Sequence, residues 1–449
     1  MKRENPFYHR VPIQDSTYFF GRAQEVGRIA ALIANGQSVS IIGPRRIGKS
    51  SLLSQLCQPL VKAEYGLVAD AQTLVYFSGE AWQDQSAGVL YAAIWAAVVD
   101  GIAVVGTGAF PADLPAPMVE TLDFPTFQRA LRQIGYPERR IVLLLDEFDA
   151  LSHNRHLDEF FFSSLRSLAA TQGVVFVTAS TQPLLELTYA QQSALSSPFF
   201  NIFLPLRLGL LSDDEAHTLL SGTAALGGHA LTTQHAGDLL DIAGPHPLFL
   251  QIAGYHAWEA IQKDYALDDR TLRQAVAAEA FPHWRYQWRY LSVTEQRTLA
   301  LLPTMQSPPM TVLQSLQHAC LLRAVTQGPV YLSSLLNEFV RQQTVYQVVH
   351  FGSLLLDQQN QQAWIEGKLL TLAPQDYRLL ALLADQAGQT LSHTELAGQL
   401  WPEEQTAINH HDRLKVAISS LRRKLGPQSG IIATDPAGGY YLDPNAVTP

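Results

Sequence analysis

A chain of 449 residues is longer than one ordinary hydrophobic core supports, so two to four domains are expected. With 47% hydrophobic and 16% charged residues and no low-complexity run, its composition excludes a fibrous or disordered protein. A formal net charge of −9 excludes a surface that coats nucleic acid uniformly, and two cysteines, Cys57 and Cys320, suggest neither a disulfide framework nor a metal site, which fits a reducing, cytoplasmic setting.

The first ten residues are charged and aromatic, with no apolar signal core. An apolar strand, Val39–Ile42, then runs into Gly43-Pro44-Arg45-Arg46-Ile47-Gly48-Lys49-Ser50, which fits G-x-x-x-x-G-K-[ST], and a helix opens at Lys49. Gly43 and Gly48 let the backbone curl so that N–H groups point inward at phosphate oxygens, and the helix N-terminus adds partial positive charge. Lys49 is expected to neutralise the β- and γ-phosphates and the Ser50 hydroxyl to hold Mg²⁺. Ser51 follows in the same helix turn and counts with the loop. A bound ATP or ADP is the cofactor this chemistry requires.

Further strands are expected at Thr73–Phe77, Ile141–Leu145 and Val174–Thr178, with a short one within Phe200–Leu206. Strands alternating with helices imply a parallel sheet covered on both faces. The stretch Ala87–Phe110 is apolar apart from Asp100; a central acid is costly in a bilayer, so it reads as a buried helix and no membrane contact is expected. The strand Ile141–Leu145 ends in Asp146-Glu147. Asp146 is placed to reach Mg²⁺ and Glu147 to orient and deprotonate a water, while Asp149 reads as a solvated or capping acid. At the next strand end, Ser180 is a candidate contact for the γ-phosphate or the water, with a strand-end cap as the alternative.

Helices follow, the first opened by the capping box Ser212–Glu215. Trp284–Gln342 has the rhythm of a small winged helix: helices at Leu291–Leu302 and Met310–Leu316, a third closing at Cys320–Leu322, and a wing strand at Val330–Ser333. After a polar joint, Phe351–Leu372 alternates like strands. Helices at Pro374–Ala387, His393–Leu400 and Ile408–Leu425 and a hairpin at Ile431–Asp443 complete the chain. The resulting division is an ATPase core at 1–206, a helical lid at 207–282, a winged-helix module at 283–343 and a second winged helix at 347–449.

The loop G-P-R-R-I-G-K-S-S-L-L, the strand end D-E-F-D and the upstream Phe20-Gly21-Arg22-Ala23-Gln24-Glu25 resemble the archaeal-ATPase-like branch of the STAND/AAA+ P-loop NTPases, related to the Orc/Cdc6-type initiators. The resemblance covers roughly the first three quarters of the chain. It implies that Phe20 and Arg22 lie at the nucleotide edge, with a core aromatic and a cap as the alternatives, and that Pro247, in Ala243-Gly244-Pro245-His246-Pro247-Leu248, packs on the nucleotide as part of a lid. It also makes Arg166 a candidate for an arginine reaching the γ-phosphate of a neighbouring protomer, with a surface ion pair as the alternative. Self-association in the nucleotide-bound state follows.

Leu372–Leu380 and Leu414–Leu425, with Gly439-Tyr440, resemble the OmpR/PhoB-type winged helix of response regulators. That family's third helix enters the major groove of double-stranded DNA. Leu414, Ile418, Leu421 and Leu425 form one helical stripe that faces a core. Arg413, Lys415, Arg422 and Lys424 flank the opposite face and suit phosphates, whereas Val416, Ser419, Ser420 and Arg423 are candidates for base edges. The wing, Thr434-Asp435-Pro436-Ala437, carries no positive charge, which predicts weak DNA binding by one copy. Three functions fit: a nucleotide-switched transcription regulator, an initiator ATPase for replication, plasmids or mobile elements, and a signalling or defence NTPase whose last module binds protein. No receiver domain and no repeat array is visible, so the inducing signal must enter through the lid, the middle module or a partner.

Overall fold

The computed structural model of the chain describes residues 4–7, 10–67, 72–105, 114–116, 119–134, 140–189, 199–262, 269–304, 308–326, 328–343, 348–351, 354–358, 360–401, 410–436 and 438–443. Two compact units emerge. The first comprises Met1–Ala280 with the short segments His318–Leu321 and Leu332–Ser334; the second comprises Phe281–Gln317, Leu322–Tyr331 and Leu335–Pro449.

In the first unit, five strands, β1 (Ser38–Ile42), β2 (Gln72–Ser78), β3 (Arg140–Asp146), β4 (Val175–Ser180) and β5 (Phe203–Arg207), pair in parallel in the order β2-β3-β4-β1-β5. The alternation along β3 explains the layers. Ile141, Leu143 and Leu145 enter one apolar cluster with Trp95, Phe127 and Phe161, while Val142 and Leu144 enter another with Ile29, Leu52 and Leu56. Both faces are therefore covered, as the near-continuous hydrophobic strands require. The covering helices are α1 (Ala23–Ala34), α2 (Lys49–Leu56), α3 (Pro59–Glu64), α4 (Ala87–Val105), α5 (Phe124–Ile134), α6 (Phe148–Ser152), α7 (Glu159–Gln172) and α8 (Leu184–Tyr189). The apolar stretch from Ala87 is thus a packed helix with Leu90, Trp95 and Val98 buried; its expected continuation to Phe110 lies outside the described residues. Among the described residues no helix is long and apolar enough to cross a membrane.

Three further helices, α9 (Asp213–Leu226), α10 (Thr233–Ala243) and α11 (Pro247–Gln262), follow in this unit. The box at Ser212 is formed from both sides: Glu215 N donates to Ser212 Oγ at 3.2 Å and Ser212 N donates to Glu215 Oε2 at 2.9 Å. Gly244 ends α10 at φ +65°, and a Cβ added there would lie 2.3 Å from the Leu332 carbonyl oxygen. Gly244→Ala is therefore expected to cost about 1–3 kcal/mol, read as a lower thermal midpoint. An unchanged midpoint would show that this close backbone approach does not constrain the fold.

Helix α12 (Asp269–Tyr290) runs past the expected boundary near 282, with Pro282 inside it. It is followed by α13 (Val293–Leu301), α14 (Met310–His318), the hairpin β6 (Leu322–Val325) and β7 (Gly328–Tyr331), and α15 (Ser334–Arg341). The third helix expected to close at Cys320–Leu322 is not there. Cys320 turns at φ +57° and Leu322 opens the hairpin strand instead, so the third helix of the module is α15.

The C-terminal part begins with an antiparallel sheet, β8 (Val348–Phe351), β9 (Leu354–Asp357), β10 (Gln362–Ile365) and β11 (Lys368–Leu369), ordered β11-β10-β9-β8. Three helices follow, α16 (Pro374–Asp385), α17 (His393–Leu400) and α18 (His410–Leu425), then a hairpin of β12 (Ile432–Thr434) and β13 (Tyr440–Leu442) turning through Gly438 and Gly439. Within the second unit the sheet packs on α13: Ala300 and Leu301 cluster with Val348, Leu355 and Trp364, and Arg297 pairs with the buried Asp357.

Candidate functional site

The phosphate loop follows from the strand order. β4 lies between β1 and β3, so its tip separates the glycine loop from the acid-bearing strand end, and Gly43 N donates to Ser180 O at 3.1 Å. Gly48 sits at φ +102° with open space where a Cβ would stand, leaving the start of α2 accessible. Arg46 also adopts a left-handed backbone, at φ +67°, and donates to Arg10 O at 3.2 Å. Arg45 is exposed, Pro44 half-buried and Ile47 buried under the loop. Lys49 is buried and its Nζ donates to Gly43 O at 2.8 Å and Pro44 O at 3.0 Å. Burial pushes its pKa down, while Asp149, Glu147 and Asp146 pull it back up. Ser50 is half-buried at the first turn; Ser51 Oγ instead accepts from Ile13 N at 2.9 Å and anchors the N-terminal segment.

At the end of β3, Asp146 is 2% exposed and both carboxylate oxygens are engaged: Tyr76 Oη donates to Oδ2 at 2.7 Å and Glu147 N donates to Oδ1 at 2.9 Å. Glu147 holds a left-handed backbone, φ 49° and ψ 46°, at the cap of α6, strain of the kind that persists where surrounding structure fixes it. Burial pushes its pKa up and Asp146 pushes it further, with Lys49 opposing. Asp149 is neither solvated nor a helix cap. Its carboxylate accepts from Thr181 N at 2.9 Å and from Thr181 Oγ1 at 2.6 Å, so it fastens α6 to the tip of β4. Ser180 is fully buried and its hydroxyl donates to Gln182 O at 2.7 Å. Sequence patterns gave no sign of Tyr76 or of the Asp149–Thr181 link, because both join residues far apart in the chain.

The remaining candidates lie around this centre. Arg22 is buried and donates to Glu25 Oε1 at 2.9 Å and to the Gly209 and Leu210 carbonyls, while its own N–H donates to Glu215 Oε1 at 2.7 Å. It therefore ties α1 to the link between β5 and α9. Phe20 lies against α9, where a Cβ on Gly222 would meet its ring at 2.4 Å. Pro247 is the first residue of α11, and Arg166 is half-buried on α7 with no ion pair among the described residues.

In the second unit, α18 buries Leu414, Ile418, Leu421 and Leu425 as its pattern requires. Arg413, Lys415, Val416, Ser419 and Arg423 are exposed, Ser420 is half-buried, and Val416 is 69% exposed. Arg413 lies over the Trp401 ring at 4.4 Å. Two of the basic residues also bond within the module. Arg422 donates to Ile432 O at 3.0 and 2.7 Å and to Thr434 Oγ1 at 2.8 Å, bracing α18 to the hairpin, and Lys424 pairs with Asp376 at the start of α16. Each of these side chains thus has a partner within the module. Asp435 of the wing accepts from Thr390 Oγ1.

Residues 27–306 match the family described as Novel STAND NTPase 2, and residues 367–442 match the C-terminal domain family of transcriptional regulatory proteins. The C-terminal region is 38% identical over 101 residues to the response regulator PmrA of Pseudomonas aeruginosa, covering 22% of this chain and 42% of that one. It is 37% identical over 93 residues to the transcriptional regulatory protein QseB of Escherichia coli O157:H7, covering 20% and 40%. The chain thus spans about two fifths of the length of these relatives. The Walker-type ATPase paby2304 of Pyrococcus abyssi superposes with a TM-score of 0.55 at 13% identity, over 75% of this chain and 99% of that one, and shares the fold. The chain belongs to the Novel STAND NTPase 2 family and carries a C-terminal winged helix of the OmpR/PhoB type.

Proposed function

We propose that this protein is a cytoplasmic, nucleotide-switched transcription regulator in which ATP binding and slow hydrolysis in the first unit control DNA binding through α18. The observation that carries the reading is the presence in one chain of the Lys49–Asp146–Glu147 centre and a winged helix whose exposed helix face bears Arg413, Lys415 and Arg423. The donor set fits a magnesium nucleotide: an ammonium now resting on loop carbonyls, a hydroxyl at the first helix turn, a carboxylate at the strand end, and an open face at Gly48. Ser50 and Asp146 would hold the magnesium ion, which neutralises phosphate charge. Lys49 exchanges its carbonyl partners for phosphate oxygens, the loop N–H groups orient the phosphates, and Glu147 accepts a proton from the attacking water. Arg166 would act on the γ-phosphate of a neighbouring protomer if nucleotide drives self-association. Weak single winged helices gain affinity when gathered in this way.

Lys49→Ala is expected to weaken ATP binding at least about tenfold, since charge-assisted contacts of about 1.5–3 kcal/mol each are lost. DNA retention on filters at low salt should change between ATP and ADP, and should lose its preference for a selected site when Leu372–Pro449 is deleted. Equal retention with both nucleotides would sink the switch, and site preference that survives the deletion would move the sequence-reading contact elsewhere.

A further inference from the structure

Helix α12 closes with Trp284-Arg285-Tyr286-Gln287-Trp288-Arg289-Tyr290. The tryptophans turn inward: Trp284 is 1% exposed with its ring 5.9 Å from Phe339, and the Trp288 ring is 6.1 Å from the same residue. At about 100° per residue, Arg285, Tyr286, Arg289 and Tyr290 share the opposite arc. All four are exposed, Tyr290 to 74%, and the two tyrosine rings lie 5.0 Å apart. No aspartate or glutamate occurs from Ala280 to Thr294. Among the described residues neither arginine is in an ion pair, and Glu295, the first acid beyond, is engaged by Ser292 and Ser315.

In a chain of net charge −9 this is a positive, aromatic island, complementary to a polyanion. It belongs to the same compact unit as α18, whose own cationic face is reduced by the internal bonds of Arg422 and Lys424 and adjoins an uncharged or acidic wing. We propose that Arg285, Tyr286, Arg289 and Tyr290 form a second DNA-contact surface that grips the phosphate backbone of duplex DNA. The inference builds on the DNA-binding reading of α18 and extends it. The arginines take phosphate oxygens, and the tyrosine rings lie against the sugars. This surface supplies affinity without sequence preference, while α18 supplies the preference.

The test uses the full chain with Arg285→Gln and Arg289→Gln together, measured on a duplex carrying a selected binding site and on a scrambled duplex over a range of salt. The slope of log affinity against log salt is expected to fall by about 2 and affinity near 0.15 M salt by roughly tenfold on both duplexes, with their ratio unchanged. Arg285→Lys with Arg289→Lys should restore the slope, which separates lost charge from lost folding. An unchanged slope with affinity within twofold of wild type overturns the proposal. So does a loss confined to single-stranded oligo-dT, or a change in self-association by sedimentation without change in DNA affinity, which would make the stripe a protein surface. Site preference that disappears in Arg423→Ala but survives in the double variant supports both assignments. A wild-type protein with no site preference whose duplex binding still needs Arg285 and Arg289 would leave the stripe standing and remove α18 as the reader. A wild-type protein that binds no duplex would remove both.

Discussion

Glu147→Gln is expected to lower ATP turnover by about 10²–10⁴-fold while leaving nucleotide affinity near wild type. The glutamine keeps the shape and the left-handed turn but cannot take a proton. Steady-state hydrolysis against equilibrium binding separates the two effects, and turnover at the wild-type rate would remove Glu147 as the base. The pH dependence carries a second readout. Burial, with Asp146 second, raises the Glu147 pKa, so turnover should climb with pH through a value above the ordinary ~4.3 of glutamate. The sign for stability is opposite to that of a paired carboxylate. Above the raised folded pKa, the charged side chain is less comfortable folded than unfolded and costs stability; below the unfolded pKa both states hold the proton and the cost disappears. The nucleotide-free Gln variant should therefore melt at or above wild type at pH 7, and the gap should close below about pH 4.

The second large effect is expected at Arg297→Met. Asp357 is 1% exposed, and Arg297 is its cationic partner, with Asn360 donating from its backbone at 3.2 Å and its side chain at 2.7 Å. Removing the guanidinium leaves a buried carboxylate short of its counter-charge, a change that costs about 3–5 kcal/mol; the remaining Asn360 bonds place the effect near the lower end. Amide hydrogens of residues 354–357 and 362–365 should then exchange roughly 100-fold faster, because that strand pair loses its tie to α13. Replacing both partners, Arg297→Met with Asp357→Leu, should recover much of the loss. Exchange at wild-type rates in the single variant would show that the apolar cluster of Leu301, Leu355 and Trp364 alone holds the two elements together.

The phosphate loop and the paired acids were legible because each is local: a strand end, a turn and a helix start within a few residues fix both backbone and chemistry. The same holds for the capping box at Ser212 and the core stripe of α18. What was not legible depends on register between distant segments. Tyr76 meets Asp146 because Ser78 pairs with Asp146, which puts position 76 on the same face of the neighbouring strand. Asp149 looked solvated until β4 brought Thr181 to it. Arg422 and Lys424 sit on a flank that pattern alone assigns to phosphates; their bonds to the hairpin carbonyl and to Asp376 at the start of α16 depend on segments far away in the chain. The expected wing strand at Val330–Ser333 overlaps β7, whereas its partner β6 was not legible because a left-handed turn at Cys320, a residue with no turn preference, ends the helical run.

Between Ala280 and Leu335 the chain passes from one compact unit to the other five times. A module joined by one linker can be gained, lost or traded in a single recombination event. Here a cut anywhere in that interval strands a fragment of one core inside the other gene product. Cys320 illustrates the penalty, since it is buried in the apolar cluster of the nucleotide sheet while the strand that follows it belongs elsewhere. Exchange of the C-terminal winged helix is free of this restriction only beyond Leu335, so that winged helix and the middle module are expected to diversify by separate evolutionary routes.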